Sequence, residues 1–230
     1  MLAVVPARGG STGIPLKNLR TLGGVPLVTL AGHAAKAVPD IDRAVVSTDH
    51  EQIALVAEAA GLAAPFRRPG DLSGPLIGDW DVLNHALITM EALDGVVYDV
   101  ILMLQPTSPS RTPEHIERTL RTLADGGFDA VWTVSETDSK SHPLKQLVIG
   151  EKGELGYYDE RGAAIVARQQ LKPVYHRNGI AYAFTRDCIL VHKNIRGDRT
   201  GAVLVEEPTV NIDTELDLQW AEFLLGGKET

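Results

Sequence analysis

Apolar positions along this chain fall into short runs separated by helical patterns. Leu2 to Val5 is an unbroken apolar run of strand length that stops at Pro6. Leu27 to Val38 is alanine-rich and predicts a helix. Ala44 to Ser47 predicts a strand leading into Thr48-Asp49, and Glu51 to Ala60 a helix stopped by Gly61. In the segment Trp80 to Leu93, residues Val82, Leu83, Ala86, Leu87 and Met90 share one helical face. Val100 to Leu104 is continuously apolar, as expected of a central strand covered on both sides. Thr112-Pro113-Glu114 has the order of an N-cap, a first-turn proline and a first-turn acid, so a helix starts there. Ala130 to Val134, Ile180 to Phe184 and Ala202 to Val205 add strands, and Thr214 to Leu225 closes with an amphipathic helix. Strands alternating with helices predict an α/β fold, a mostly parallel sheet wrapped by helices.

The rhythm breaks from Glu136 to about residue 175, a polar stretch with Gly150, Gly153 and Gly156 followed by Arg168-Gln169-Gln170. It reads as an excursion from the main sheet, a lid or dimerisation arm, within a single domain spanning 1–230. A chain of 230 residues can bury a substantial core in one such domain.

Charge narrows the partners. The formal net charge is −8 and no dense Lys/Arg patch occurs, which argues against nucleic acid. An acidic protein that binds a nucleotide must gather its cations locally. The single cysteine, Cys188, excludes an intramolecular disulfide, fits a reducing cytoplasm and is expected to be packed rather than nucleophilic. The amino-terminal apolar run is too short for a signal peptide, and no segment approaches the roughly 20 apolar residues of a membrane helix. No membrane partner is therefore expected.

The chemistry concentrates at three places. After the first strand comes Arg8-Gly9-Gly10-Ser11-Thr12-Gly13, then Lys17-Asn18. Glycines let backbone amides approach an anion, an arginine supplies a planar fork and a lysine a point charge. The loop thus predicts a triphosphate site at the end of the first strand, although it matches neither G-x-G-x-x-G nor a Walker A motif. At the end of the central strand, Gln105 leads a proline-stiffened turn reaching Arg111. Before the last helix, extended geometry puts Asn211 and Asp213 on one side, about 6–7 Å apart. That pair suits a divalent ion shared with substrate phosphates. An equally simple role for Asp213 or Thr214 is to cap the helix.

Several long motifs occur in one order over the whole chain: Ala-Arg-Gly-Gly-Ser-x-Gly-Ile-Pro-x-Lys-Asn, Ser-Thr-Asp, Arg-Pro at Arg68, Leu-Gln-Pro-Thr-Ser-Pro-x-Arg-Thr, His-Pro-Leu-Lys at His142–Lys145, Arg-Gln-Gln, Arg-Asn-Gly and Asp-Thr-Glu-Leu-Asp. In this the chain resembles the CMP-sialic acid synthetases, the acylneuraminate cytidylyltransferases. The resemblance implies a Rossmann-like nucleotidyltransferase fold with a small dimerisation element, CTP and a keto-sugar acid as substrates, Mg²⁺ or Mn²⁺ as cofactor, and a homodimer. It implies that Arg8 and Lys17 hold the triphosphate, with Gly9, Gly10 and Ser11 beside them, and that Asn18 and Arg68 contact the nucleotide. Gln105, Lys145 and Arg168 resemble groups that orient the sugar acid. Tyr182 is expected in the same pocket, Asp213 with Asn211 at the metal, and Arg177 at the dimer seam. Three positions depart from the family pattern: Thr12 stands where a lysine is usual, Asn211 where an aspartate is usual, and Ser73-Gly74-Pro75-Leu76 replaces a Ser-Asp-Thr stretch. The implied reaction activates a sialic-acid-like nonulosonate. The alternatives are an eight-carbon, legionaminic- or pseudaminic-type acid, or a nucleotide-sugar binding protein that has lost turnover.

Overall fold

A computed structural model describes residues 1–226. Its elements, in chain order, are β1 (Leu2–Pro6), β2 (Thr21–Leu22), β3 (Val25–Pro26), α1 (Leu27–Lys36), β4 (Arg43–Ser47), α2 (Glu51–Ala59), α3 (Asp79–Asp94) and β5 (Val100–Met103). Then follow α4 (Pro113–Gly126), β6 (Ala130–Glu136), β7 (Leu147–Ile149), β8 (Leu155–Tyr157), β9 (Tyr175–Thr185), α5 (Arg186–Leu190), β10 (Thr200–Leu204) and α6 (Glu215–Gly226). Six strands form one sheet in the order β10-β6-β9-β5-β1-β4. The pairs β1/β4, β1/β5 and β6/β10 are parallel, whereas β9 runs antiparallel to both β5 and β6. The α/β fold with a mostly parallel sheet is therefore as expected. The reversed direction of β9 is new, because an apolar run carries no sign of its direction.

Side chains of β1 alternate between two cores of buried apolar residues. Leu2 and Val4 join Leu83, Leu87 and Met90 of α3 on one face, and Ala3 and Val5 join Val28 and Ala31 of α1 on the other. Pleating puts successive residues on opposite faces, so a central strand must be apolar throughout. On α3, the five residues of the predicted apolar face are all buried. The Thr112 side chain caps α4, accepting from the His115 amide at 3.4 Å, with Pro113 at the first helical position. Cys188 is fully buried, and burial pushes its thiol up to about 12, so it packs and does not react.

The sheet turns back on itself at β1. From there the chain moves outward to β4 and then returns to β5 on the other side. Loops leaving the carboxyl ends of β1, β4 and β5 diverge around that switch point, which is where open α/β sheets hold ligands. The excursion between β6 and β9 forms its own two-stranded antiparallel sheet, β7 with β8. Among the described residues no helix is long and apolar enough to cross a membrane.

Candidate active site

The first wall of the cleft is the loop after β1. Ala7 still donates to the Ser47 carbonyl at 2.9 Å, after which the chain leaves the sheet. The Arg8 guanidinium donates to the Gly74 carbonyl at 2.7 Å, and the Asn18 amide reaches back to the Arg8 carbonyl at 3.0 Å. Asn18 is buried in doing so. Its side chain is thereby the brace of the loop as well as a face of the cleft. Gly13 is glycine for a contact reason: a Cβ there would stand 2.2 Å from the Asp213 carbonyl oxygen. The loop and the segment before α6 cross backbone to backbone at this point. Leu16 then takes a left-handed conformation, φ 47°, which non-glycine residues adopt at a cost. That turn starts the short 3-10 segment Lys17–Leu19 and aims Lys17 across the cleft.

Lys17 meets Asp213 there, Nζ to Oδ1 at 2.7 Å. Around Asp213 the strand-like alternation holds. Asn211 and Asp213 are exposed toward the cleft, while Ile212 is fully buried and its amide donates to the Thr107 carbonyl at 2.8 Å. The capping question is settled in favour of Thr214. Its hydroxyl accepts from the Asp217 amide at 3.2 Å, and the Asp217 carboxylate accepts from the amides of Asp213 and Thr214. This reciprocal box leaves the Asp213 carboxylate free of the helix.

Arg68 and Gln105 form the remaining walls. Arg68 is only 5% exposed and donates to Ser73 Oγ at 3.2 Å. Burial holds its pKa below the ordinary arginine value, Asp49 opposing that shift and the charge of Arg8 adding to it. Gln105 follows β5 directly. Together these groups line one cleft of about 300 Å³, with Arg8, Ser11, Lys17, Asn18, Arg68, Gln105, Asn211 and Asp213 all on its surface. Three cations thus face a single space in a protein of net charge −8. Asp213 offers a carboxylate and Asn211 a carbonyl oxygen on the same side, a donor set that suits a hard divalent ion sharing phosphate oxygens. No cluster of three or more His, Cys, Asp or Glu side chains arranged for a metal occurs among the described residues.

Other expected site residues lie elsewhere. The Gly9 amide is occupied, donating to Asp49 Oδ1 at 2.8 Å, and Gly10 stands in the open beside the cleft. Lys145 and Arg168 are exposed residues of the excursion, away from these walls. Arg168 lines a separate groove with Glu136, Asp138 and His142. Tyr182 is 2% exposed inside the sheet, its hydroxyl accepting from the Gly179 amide at 2.7 Å, and burial raises its pKa. It supports the site from beneath instead of lining the cleft.

One residue of the cleft carries no sequence signal, and it pairs with Arg177, which the resemblance implied for a dimer seam. Asp79 lines the cleft at the start of α3, where Asp81 already takes the capping role by accepting from the Gly78 amide at 3.2 Å. Its partner is Arg177, at 3.4 Å, whose guanidinium lies over the rings of Trp132 and Tyr182 at 5.1 and 5.6 Å. The pair spans 98 residues of sequence, and only the packing of α3 beside β9 brings it together.

The chain is similar to known proteins over its whole length. A CMP-N,N'-diacetyllegionaminic acid synthase of Legionella pneumophila is 33% identical over 96% of this chain and 93% of its own length. An N-acylneuraminate cytidylyltransferase of Oncorhynchus mykiss is 30% identical over 95% of this chain, which spans 48% of that longer protein. In fold, a CMP:2-keto-3-deoxy-manno-octonic acid synthetase solved with CTP superposes with a TM-score of 0.70 over 99% of this chain and 98% of its own, at 19% identity. Residues 2–224 match the cytidylyltransferase family, and the chain belongs to it.

Proposed function

We propose that this protein activates a 3-deoxy-2-keto sugar acid of the sialic-acid type by transferring to it the cytidylyl group of CTP. The anomeric hydroxyl of the acid attacks the α-phosphorus, a new O–P bond forms, the bond to the β-phosphate breaks, and pyrophosphate leaves while the hydroxyl proton passes to solvent or base. One observation carries this reading: the ends of β1 and β5, the loop between α2 and α3 and the segment before α6 bring Arg8, Lys17, Arg68, Gln105 and Asp213 onto one cleft. Catalysis on such a surface is positioning and charge neutralisation. Arg8 and Lys17 would take the triphosphate, Lys17 exchanging Asp213 for phosphate oxygens. Asn18 and Arg68 would hold the nucleoside side, and Gln105 the sugar acid. Asp213 and Asn211 would hold Mg²⁺ or Mn²⁺, which when bound neutralises the charge of the triphosphate and of the leaving pyrophosphate.

The active form in this reading is a homodimer. The excursion leaves Ile149 75%, Leu155 66%, Tyr158 72% and Val166 88% exposed, a density of apolar surface suited to a second copy. Docking there would order the arm that carries Lys145 and Arg168 and bring these cations to the carboxylate of the acid. A second reading, the same chemistry on a legionaminic-type acid, is favoured by the Legionella relative, which matches over nearly its full length. The test is turnover with CTP, Mg²⁺ and a panel of eight- and nine-carbon keto-sugar acids, following pyrophosphate and the CMP-sugar. At least one nine-carbon acid should support both products. CTP binding without turnover on any acid would make the protein a nucleotide-sugar binder, consistent with Thr12 and Asn211.

A further inference from the structure

Arg111 is 9% exposed, and no carboxylate lies within ion-pair distance of it among the described residues. Its guanidinium donates instead to three main-chain carbonyls: Nε to Ile180, and Nη2 to Gln105 at 2.7 Å and Gly179 at 3.1 Å. Burial pushes its pKa down to about 9, so the cation persists at neutral pH without a counter-ion. A buried cation is costly to keep, and its partners show what it joins.

Two of those carbonyls belong to an irregular stretch of β9. Trp132 pairs with Tyr182 and Val134 with Arg177, so residues 178–181 face the single residue Thr133 and lose regular ladder partners. Arg111 satisfies two of the carbonyls there, and the Nη2 that reaches Gly179 also grips the carbonyl of Gln105. Ser108 adds a second tie, its hydroxyl donating to the Asn178 carbonyl at 2.8 Å. Gly179 supplies a floor. At φ 75° and without a side chain, it lets the Ser108 hydroxyl and the Gln105 carboxamide rest where a Cβ would approach their oxygens to 2.2 and 2.6 Å. From below, Tyr182 holds the Gly179 amide.

We propose that Arg111, with Gly179 as the floor, is a positioning residue for Gln105: it fixes the carboxamide in the cleft, and through it the affinity for the sugar acid, while touching neither substrate. The inference rests on the reading above in which Gln105 contacts the acid. A planar fork is required, because the three carbonyls are reached from two nitrogens held at a fixed spacing, Nε and Nη2, and a lysine offers all its donors from one nitrogen.

The test is steady-state kinetics on Arg111→Lys, Gly179→Ala, Gln105→Ala and the two double variants containing Gln105→Ala, with thermal melts alongside. Each of the first two should raise the sugar-acid KM roughly 10- to 100-fold, the range that follows a displacement on the ångström scale, and leave the CTP KM within about twofold. In the Gln105→Ala background neither should add a further rise, since both act through that side chain. Multiplying losses, or equal rises in both KM values, would make Arg111 a staple of the β9 irregularity and overturn the proposal, as would an unchanged sugar-acid KM in Gln105→Ala. The side-chain amide resonance of Gln105, identified by its loss in Gln105→Ala, reads the same coupling without turnover. It should shift or broaden in Arg111→Lys, and an unchanged resonance refutes the coupling. A wild-type protein inert toward every acid would refute the proposed reaction instead, leaving this resonance to decide the role of Arg111.

Discussion

The cleft and the excursion carry charge in opposite ways. In the cleft every cation already has a protein partner: Arg8 the Gly74 carbonyl, Lys17 the Asp213 carboxylate and Arg68 the Ser73 hydroxyl. The loop is braced by Asn18 and crosses Asp213 with no room for a side chain at Gly13. In the excursion, Lys145 and Arg168 are exposed and the surrounding apolar side chains face outward. In the proposed reading the difference means that one chain builds the nucleotide side of the site, whereas Lys145 and Arg168 would reach the sugar acid only once a second copy docks. Charge already held on the cleft wall needs little rearrangement when the reaction begins, the exchange of Asp213 for phosphate at Lys17 being the step the proposal requires.

The sharpest way to break this contrast is at its fixed end. Arg8→Ala removes one of three cations on the cleft and should lower turnover by about 10²–10³-fold, the range seen on deleting one charge-stabilising donor. Assays of pyrophosphate release on a variant with an unchanged melting curve check this, and wild-type-like turnover would take Arg8 out of the mechanism.

A smaller effect is expected at the metal. Asn211 supplies a neutral oxygen beside Asp213, and hard cations depend on ligand charge. Asn211→Asp should reduce the Mg²⁺ concentration for half-maximal rate several-fold, by about 1 kcal/mol of added affinity. A Mg²⁺ titration that superposes on wild type would place the ion elsewhere.

The smallest effect separates the helices packed on the main sheet from the excursion by acid stability. Glu91 is bound by Arg186 across α3 and α5, and that hydrogen bond holds its pKa below the ordinary 4.5, burial opposing. A carboxylate with a depressed folded-state pKa adds stability above its unfolded pKa and loses it as pH falls through the folded value. Glu91→Gln should therefore lower the melting temperature at pH 7 by a few degrees and flatten its decline below pH 4.5. In the excursion, Arg161 holds Asp159 down to about 2, yet the pair is exposed and only two residues apart. Such a local pair persists in the unfolded chain, so Asp159→Asn should leave the acid limb of the melting curve unchanged.

Much of this was legible in the sequence, for definite reasons. The central strands announce themselves because burial on both faces forbids polar residues, and α3 because its five apolar positions recur at helical spacing. The cleft loop after β1 shows through its glycines and flanking cations, and Asn211 and Asp213 through strand alternation around the buried Ile212. What stayed hidden depends on the third dimension. Nothing in Tyr175–Thr185 encodes that β9 runs against its neighbours, or that its register breaks opposite Thr133. The pairing of Asp79 with Arg177 and the grip of Arg111 on Gln105 join segments far apart in the sequence or set by the fold of a turn. Tyr182 was expected in the pocket on the strength of resemblance, but strand geometry turns its hydroxyl inward to Gly179.

The division of labour between the two regions is tested most directly by the paired KM values of the double variant Lys145→Gln/Arg168→Gln. Both side chains are exposed, so folding should be untouched. The KM for CTP should stay within about twofold of wild type and the KM for the sugar acid should rise by about tenfold or more, the loss expected when charged hydrogen bonds to a carboxylate are removed. An equal rise in both values, or no change in either, would contradict the account, because the excursion would then serve both substrates or neither.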